Sequence, residues 1–149
     1  MLTITIPGRL AGANEYILKC RTNRVAASSF KHKQERQVQA AVYDCLHHKP
    51  RPYQNPVILH YHWFEQNKRR DKDNIAFAHK FIQDAFVEMG LLQGDGWAYI
   101  AGFTDTFSVD SKRPRIEVTI EELPAIRVYD RLDDAAIDGI SDKGADDFV

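Results

Sequence analysis

The chain has 149 residues, of which 44% are hydrophobic, and a formal net charge of -1. This size and composition predict one compact domain that buries its apolar surface without metal or disulfide staples. No apolar run approaches the roughly 20 residues that span a bilayer, and the first residues lack the regions of a signal peptide. We therefore expect a soluble protein that is not exported, which argues against membrane and secreted functions.

Cysteine usage and charge distribution narrow the classes of function further. Cys20 and Cys45 stand apart from metal-ligand or redox spacing, which predicts inert, reduced thiols in the cytoplasm. Residues 16–51 contain eight basic and two acidic side chains, whereas residues 125–149 contain seven aspartates and three basic side chains. The body is therefore expected to offer basic patches to polyanions, with solvated surface charges as the alternative for the first cluster.

The first half of the chain predicts a strand, a loop and a helix. Apolar residues alternate with threonine over residues 2–6, as in a strand with one buried face. Residues 9–27 have no clear period and predict a long polar loop. Ser28 or Ser29 is expected to cap a helix that runs to about His47, before a proline-rich stretch that forbids its continuation.

The second half predicts three strands and a further helix. Residues 57–64 are rich in β-branched and aromatic side chains, which favours a central strand. Apolar residues recur at helical spacing over residues 75–89, and Gly90 can end that helix. Residues 97–107 and 116–120 are expected to form strands that pair as a hairpin.

Together these elements predict a single α+β domain over residues 1–124, with a mixed β-sheet and two main helices. Residues 125–149 are acidic and lack periodicity, which predicts a mobile tail. A short helix over residues 128–137 is the alternative there. For the tail itself, solubility is the expected role and shielding of a basic face the alternative.

The most informative segment joins the central strand to the second helix and reads Lys68-Arg69-Arg70-Asp71-Lys72-Asp73-Asn74. In extended chain Asp71 and Asp73 share one side, about 7 Å apart along the backbone, so both can reach one cation. Carboxylates suit magnesium or manganese. The alternative is that the aspartates only cap the helix, but their basic neighbours favour a cation that reverses the local charge.

Further charged residues follow this segment. Asp95 lies between two glycines, where it is either a functional carboxylate or an ordinary turn residue. Lys80 and Asp84 follow Asp73 by seven and eleven residues, which on one continuous helix places all three within about 20° of each other. The alternative is a solvated helix face with a Lys80–Asp84 ion pair.

The order of these residues resembles the RusA family of Holliday-junction resolvases. The shared pattern is a basic run, Asp-x-Asp-Asn, a helix with Lys-x-x-x-Asp-Ala, and a turn aspartate; here it reads Arg70-Asp71-Lys72-Asp73-Asn74, then Lys80 to Ala85, then Asp95. The likeness covers about residues 1–122. Two departures are that the lysine follows the second aspartate by seven residues rather than four, and that one acid stands in the turn where many members have two.

The resemblance implies a homodimeric, magnesium-dependent endonuclease that cuts four-way DNA junctions by paired nicks in recombination and repair, in a bacterial, phage or prophage setting. It implies that Asp71, Asp73 and Asp95 are the catalytic, metal-binding carboxylates, with Mn²⁺ as a possible substitute, and that Lys80 is the essential lysine. Contacts to DNA are expected from Lys68, Arg69, Arg70, Lys72 and Asn74, with Asn14 as a further match.

Two other functions fit the same residues. A nuclease of flaps or forks would need the same site chemistry, and a noncatalytic branched-DNA-binding domain would use the basic run while the aspartates cap the helix.

Two groups of histidine and aromatic residues have competing structural roles. His60 and His62 alternate on one strand and are expected to pack or face a partner, with zinc binding as the alternative. The large aromatic residues of the strands are expected in the core rather than as base-stacking platforms, namely Trp63, Phe64, Trp97 and Phe103.

Overall fold

Four strands and four helices occupy residues 1–125, the part of the chain that this computed structural model describes. In chain order they are β1 (Leu2–Pro7), α1 (Ala13–Thr22), α2 (Arg24–Leu46), β2 (Val57–Glu65), α3 (Lys72–Ala76), α4 (His79–Glu88), β3 (Ile100–Val109) and β4 (Arg115–Glu122). The predicted α+β domain with a mixed sheet is confirmed. The predicted acidic tail and its alternative helix, from residue 126 onward, lie outside the described residues.

The strands form one sheet in the order β1-β4-β2-β3. β4 is antiparallel to both β1 and β2, whereas β3 is parallel to β2. The predicted hairpin between the last two strands is therefore wrong. The burial patterns explain the order, because β4 buries Ile116, Val118 and Ile120 and needs a central position, while β3 buries no residue and suits an edge.

The core lies between this sheet and the helices. Its largest buried side chains include Tyr61 and Trp63 from β2 and Phe81 and Phe86 from α4. The Tyr61 hydroxyl accepts a hydrogen bond from Gln83 Nε2 at 3.1 Å, and burial raises the pKa of this hydroxyl well above its usual range. Among residues 1–125, no helix combines the length and apolar content needed to cross a membrane.

The predicted loop over residues 9–27 is wrong, because α1 and the start of α2 occupy it. α1 contains no buried residue, so it lacks the apolar period by which a helix is recognised in a sequence. The cap of α2 is Asn23, not Ser28 or Ser29, since the Asn23 side chain accepts a hydrogen bond from the Ala26 amide at 2.7 Å. α2 ends at Leu46, close to the predicted position.

The second predicted helix, over residues 75–89, is two helices. Between α3 and α4 the amides of Ala78 and Lys80 bond to carbonyls three residues earlier, those of Ile75 and Phe77, which is the tighter 3₁₀ pattern. Phe77 packs there against Tyr16, with ring centroids 5.5 Å apart. Asp73 and Lys80 consequently do not share one continuous helix.

The predicted core aromatic residues have different environments. Trp63 is buried as expected, but Trp97 is 99% exposed and Phe103 is 52% exposed. The expectation for the last two is wrong because Trp97 precedes β3 in a turn and Phe103 lies on an edge strand.

Candidate functional site

A cleft of about 880 Å³ opens where β2 ends and α3 begins. The charged residues on its wall are Glu65, Lys68, Arg70, Asp71, Lys72 and Asp73. Apolar lining comes from Ile75 of α3 and Phe107 of β3. We call this cavity the carboxylate cleft.

The side chains of the two aspartates of the cleft make few contacts that stabilise the fold. Asp71 occupies the N-cap position of α3 with extended backbone, yet its side chain makes no capping hydrogen bond. Within residues 1–125 Asp73 Oδ1 accepts one hydrogen bond, from the neighbouring Asn74 amide, at 2.9 Å. Neither carboxylate takes part in an ion pair within residues 1–125. Both therefore remain available to a cation in the cleft.

The basic residues of the motif divide into free and engaged side chains. Lys68 and Lys72 line the cleft, and Lys72 Nζ lies 5.8 Å from the centroid of the Phe107 ring. Arg69 lines an adjoining cavity of about 320 Å³, which shares Glu65, Asn67 and Arg70 with the cleft. The Arg70 guanidinium is held by the Glu65 carboxylate and donates to the Leu10 carbonyl at 3.0 Å, so Arg70 braces the wall and its contact with DNA stays a prediction.

The two predicted asparagines lie side by side. Asn74 Oδ1, on α3, accepts the Asn14 amide at 3.0 Å. A Cβ atom added at Gly12 would lie 2.5 Å from the same oxygen, so this close approach requires glycine. The bond fastens the first turn of α1 to the helix that carries Asp73.

Lys80 and Asp95 line a second cavity, of about 390 Å³, together with His79, Asp84 and Phe103. We call it the Lys80–Asp95 pocket. Lys80 Nζ lies 3.5 Å from the Asp84 carboxylate, which is the ion pair weighed as the alternative. The same carboxylate is 2.9 Å from Lys31 of α2, and this partner raises the pKa of Lys31.

The structure thus divides the expected site. Asp71 and Asp73 share the carboxylate cleft, whereas Asp95 and Lys80 share the other pocket. Within the described residues no three His, Cys, Asp or Glu side chains are placed to hold a metal ion, so the expected set of three carboxylates is not assembled. The remaining pair still fits magnesium, which commonly takes one or two carboxylates and completes its shell with water and phosphate.

His79 of the Lys80–Asp95 pocket forms a pair with Asp105 of β3 that the sequence did not predict. His79 Nε2 lies 2.6 Å from Asp105 Oδ1, which also accepts the Trp63 indole N–H at 2.7 Å. The His79 ring lies 4.1 Å from that of Tyr61. The signal in the sequence was Asp105, which lies between Phe103 and Phe107 on the same face of β3. A charged side chain on a strand face that packs against other residues needs a partner.

The two histidines of β2 make contacts within the sheet. His60 lies 2.8 Å from the Thr104 hydroxyl and 2.9 Å from the Glu121 carboxylate. His62 lies 2.8 Å from the Ser108 hydroxyl and stacks on Phe64. These contacts agree with the packing interpretation.

Comparison with known proteins does not assign this chain to a family. No protein-family model matches the chain, and no curated protein matches it. The likeness to the RusA resolvases therefore depends on the motif residues alone.

Proposed function

We propose that this protein is a magnesium-dependent endonuclease of branched DNA, of the kind represented by the RusA resolvases. The observation that carries the proposal is the carboxylate cleft, which places Asp71 and Asp73 beside Lys68 and Lys72. Carboxylates alone would repel a phosphodiester, whereas carboxylates that hold a cation attract it. The cleft thus combines the two kinds of group that phosphodiester cleavage needs.

Asp71 and Asp73 would hold the ion, and manganese is an expected substitute. Bound magnesium would supply charge neutralisation at the scissile phosphate and make water more acidic. Lys68 and Lys72 would bind neighbouring phosphates and so orient the strand. Such contacts are sensitive to salt and do not read base identity.

Lys80 and Asp95 enter through the resemblance. Lys80 is 53% exposed, so its ammonium group can reach phosphate and stabilise the charge that develops during cleavage. The resemblance makes Asp95 a metal ligand, whereas its place in the other pocket separates it from Asp71. If Asp95 is a metal ligand, Asp95→Asn should raise the metal requirement as Asp71→Asn does. If Asp95 acts only in the other pocket, Asp95→Asn should have the smaller effect on cleavage.

Selectivity for branched DNA would come from shape. A two-fold homodimer presents two identical clefts, as the paired cuts in a symmetric four-way junction require. The same site would serve a fork or flap nuclease. A cytoplasmic protein of bacterial or phage origin fits this role.

A second candidate is a noncatalytic branched-DNA-binding domain. It is favoured by the separation of Asp95 from the other two aspartates. On this interpretation the lysines of the cleft hold the strand and the carboxylates have no catalytic role.

Cleavage of labelled four-way junction, fork and linear duplex, with magnesium or EDTA, tests the proposal. We expect magnesium-dependent paired nicks in the junction and a loss on the order of 100-fold or more in Asp73→Asn. Asp44→Asn is the matched control, because Asp44 is an exposed aspartate of α2 without an ion pair among the described residues.

Two results would contradict the proposal. Tight binding of the junction without cleavage in magnesium or manganese would favour the noncatalytic domain. A protein that sediments only as a monomer at working concentration would count against the paired arrangement.

A further inference from the structure

A second basic cavity lies between α1 and α2. It has a volume of about 510 Å³, and its lining includes Lys19 from α1 and Ser29, Lys33 and Arg36 from α2. We call it the helical groove. It shares no lining residue with the carboxylate cleft, so it is a separate surface.

The charges of the helical groove are segregated rather than mixed. Among residues 1–125 no acidic side chain lines it. Within the same residues Lys19, Lys33 and Arg36 are exposed and form no ion pair. Lys31 of the same helix differs, because it is bound to Glu35 at 3.3 Å and to Asp84 at 2.9 Å. An ordinary solvated helix face mixes both signs of charge. On α2, by contrast, Lys31 is neutralised by acidic partners, whereas the basic side chains at the groove are not.

The groove also has the chemistry of a phosphate site. Arg36 offers a planar fork of N–H donors, the two lysines offer point charges, and the Ser29 hydroxyl is a further donor. Lys19 Nζ lies 5.8 Å from the centroid of the Phe30 ring, and this cation–π contact holds the ammonium group at the groove. Cations from two helices converge there.

The position of the groove relates it to the carboxylate cleft. α1 is joined to α3 by the Asn14–Asn74 hydrogen bond of 3.0 Å and by the contact of Tyr16 with Phe77. Lys19 follows Asn14 by five residues, which is about 7.5 Å along a helix axis. One DNA strand carries a phosphate about every 3.4 Å of duplex axis, so this distance corresponds to two or three phosphates. Asn74 directly follows Asp73, so α1 connects the helical groove to the segment that carries the aspartates of the cleft.

We propose that the helical groove binds the phosphate backbone of a duplex DNA arm and anchors the substrate at a distance from the carboxylate cleft. This inference rests on the proposed binding of DNA but not on cleavage. It assigns Lys19, Lys33 and Arg36 as additional phosphate contacts, and it predicts no base preference at this surface.

The test is binding of duplex DNA, of a four-way junction and of single-stranded RNA by the full chain, measured over a series of salt concentrations. For the double variant Lys33→Gln/Arg36→Gln we expect the affinity for DNA to fall about tenfold at a salt concentration of about 0.1 M. The slope of log affinity against log salt concentration should decrease in magnitude by about 2. Cleavage at saturating junction should stay within about twofold, because neither residue lines the carboxylate cleft.

The matched control is Lys49→Gln/Arg51→Gln. It removes the same charge from exposed residues between α2 and β2, and we expect its affinity to stay within about twofold. Both double variants replace exposed side chains, so we expect both to fold. Circular dichroism and thermal unfolding would check this.

Several outcomes would overturn the inference. Unchanged affinity for DNA in the groove variant, with cleavage still lost in Asp73→Asn, would refute DNA binding at the helical groove. The proposed nuclease function would not be affected. Equal losses in both double variants would show a general charge effect. A groove variant that loses affinity for single-stranded RNA but not for duplex DNA would assign the surface to RNA, and a wild-type chain that binds no DNA would end both proposals.

Discussion

The carboxylate cleft and the Lys80–Asp95 pocket lie along the same face of β3, at Phe107 and Phe103 respectively, yet their charges are used differently. Beside the Arg70–Glu65 pair, the cleft contains two carboxylates without an ion-pair partner among the described residues, Asp71 and Asp73. In the pocket Lys80 contacts Asp84 and His79 contacts Asp105, and Asp95 is the one lining carboxylate without an ion-pair partner among residues 1–125. Charges bound to one another mainly maintain the fold, and charges without a partner are available to a ligand. The comparison therefore favours the cleft as the centre of chemistry.

The largest expected effect separates the two aspartates that the resemblance treats alike. Asp71→Asn should lower magnesium-dependent cleavage on the order of 100-fold, because it removes one of the two cleft carboxylates that form no ion pair within residues 1–125. Asp95→Asn should lower cleavage less, on the order of tenfold or below, because Asp95 lines the other pocket. Single-turnover rates over a magnesium titration measure both effects.

A metal requirement that rises equally in Asp71→Asn and Asp95→Asn would contradict this comparison. It would show that the two carboxylates act on one ion and that the cleft and the pocket form a single site. Asp44→Asn again serves as the control for loss of one negative charge.

Lys80 should show a smaller effect, on rate rather than on affinity. Lys80→Gln removes a positive charge that is 53% exposed, and we expect a loss of about 10- to 100-fold in the rate at saturating DNA. Affinity for the junction should change by less than about threefold. An equal fall in binding and cleavage would make Lys80 a simple phosphate contact, and Lys112→Gln, in the exposed turn before β4, controls for charge.

The His79–Asp105 pair should affect stability. Asp105→Asn weakens the bonds to His79 and Trp63 in a region where both members of the ion pair are less than one quarter exposed. We expect the free energy of unfolding to fall by about 1–3 kcal/mol, measured by urea denaturation, against about 0.5 kcal/mol or less for Asp44→Asn. An unchanged unfolding midpoint would remove the proposed structural role of the pair.

The smallest effect concerns an ion pair outside both cavities. Hydrogen bonds from Arg115 and from the Arg113 amide lower the pKa of Asp110 below its usual value. A lowered pKa in the folded state stabilises the protein above the unfolded pKa, and this contribution is lost as pH falls through the folded value. Arg115→Gln should therefore raise the pKa of Asp110 toward its usual value in an NMR titration, and an unchanged pKa would contradict the pairing.

Part of the fold was predictable because its signals are local. β1, β2 and β4 each carry a run of apolar residues at strand period, and each exists as expected. The apolar run at helical period over residues 75–89 is also helical, but it is divided between α3 and α4. α1 was missed because none of its residues is buried, and no periodic pattern marks such a helix. The hairpin was wrong because proximity in sequence favours adjacent pairing, whereas burial of β4 places it between β1 and β2.

The candidate site was predictable to the extent that it lies in one segment. Asp71 and Asp73 are two residues apart, so any backbone that leads from β2 into α3 keeps them close, and the structure places both in one cleft. Asp95 lies 22 residues further along the chain from Asp73, and sequence spacing cannot say which cavity such a residue joins. The His79–Asp105 pair depends on the contact of α4 with β3, and the spacing along β3 indicated only that Asp105 needs a partner, not which residue provides it.

The sequence by itself determined the α+β class, the apolar faces of the main elements and the pair of aspartates within a basic run, because these follow from periodicity and short spacing. Only the tertiary structure decided the strand order, the break between α3 and α4, and the division of the charged residues between two cavities. The physical reason is that burial and ion pairing act between residues distant in sequence, and their positions are set by how the whole chain packs.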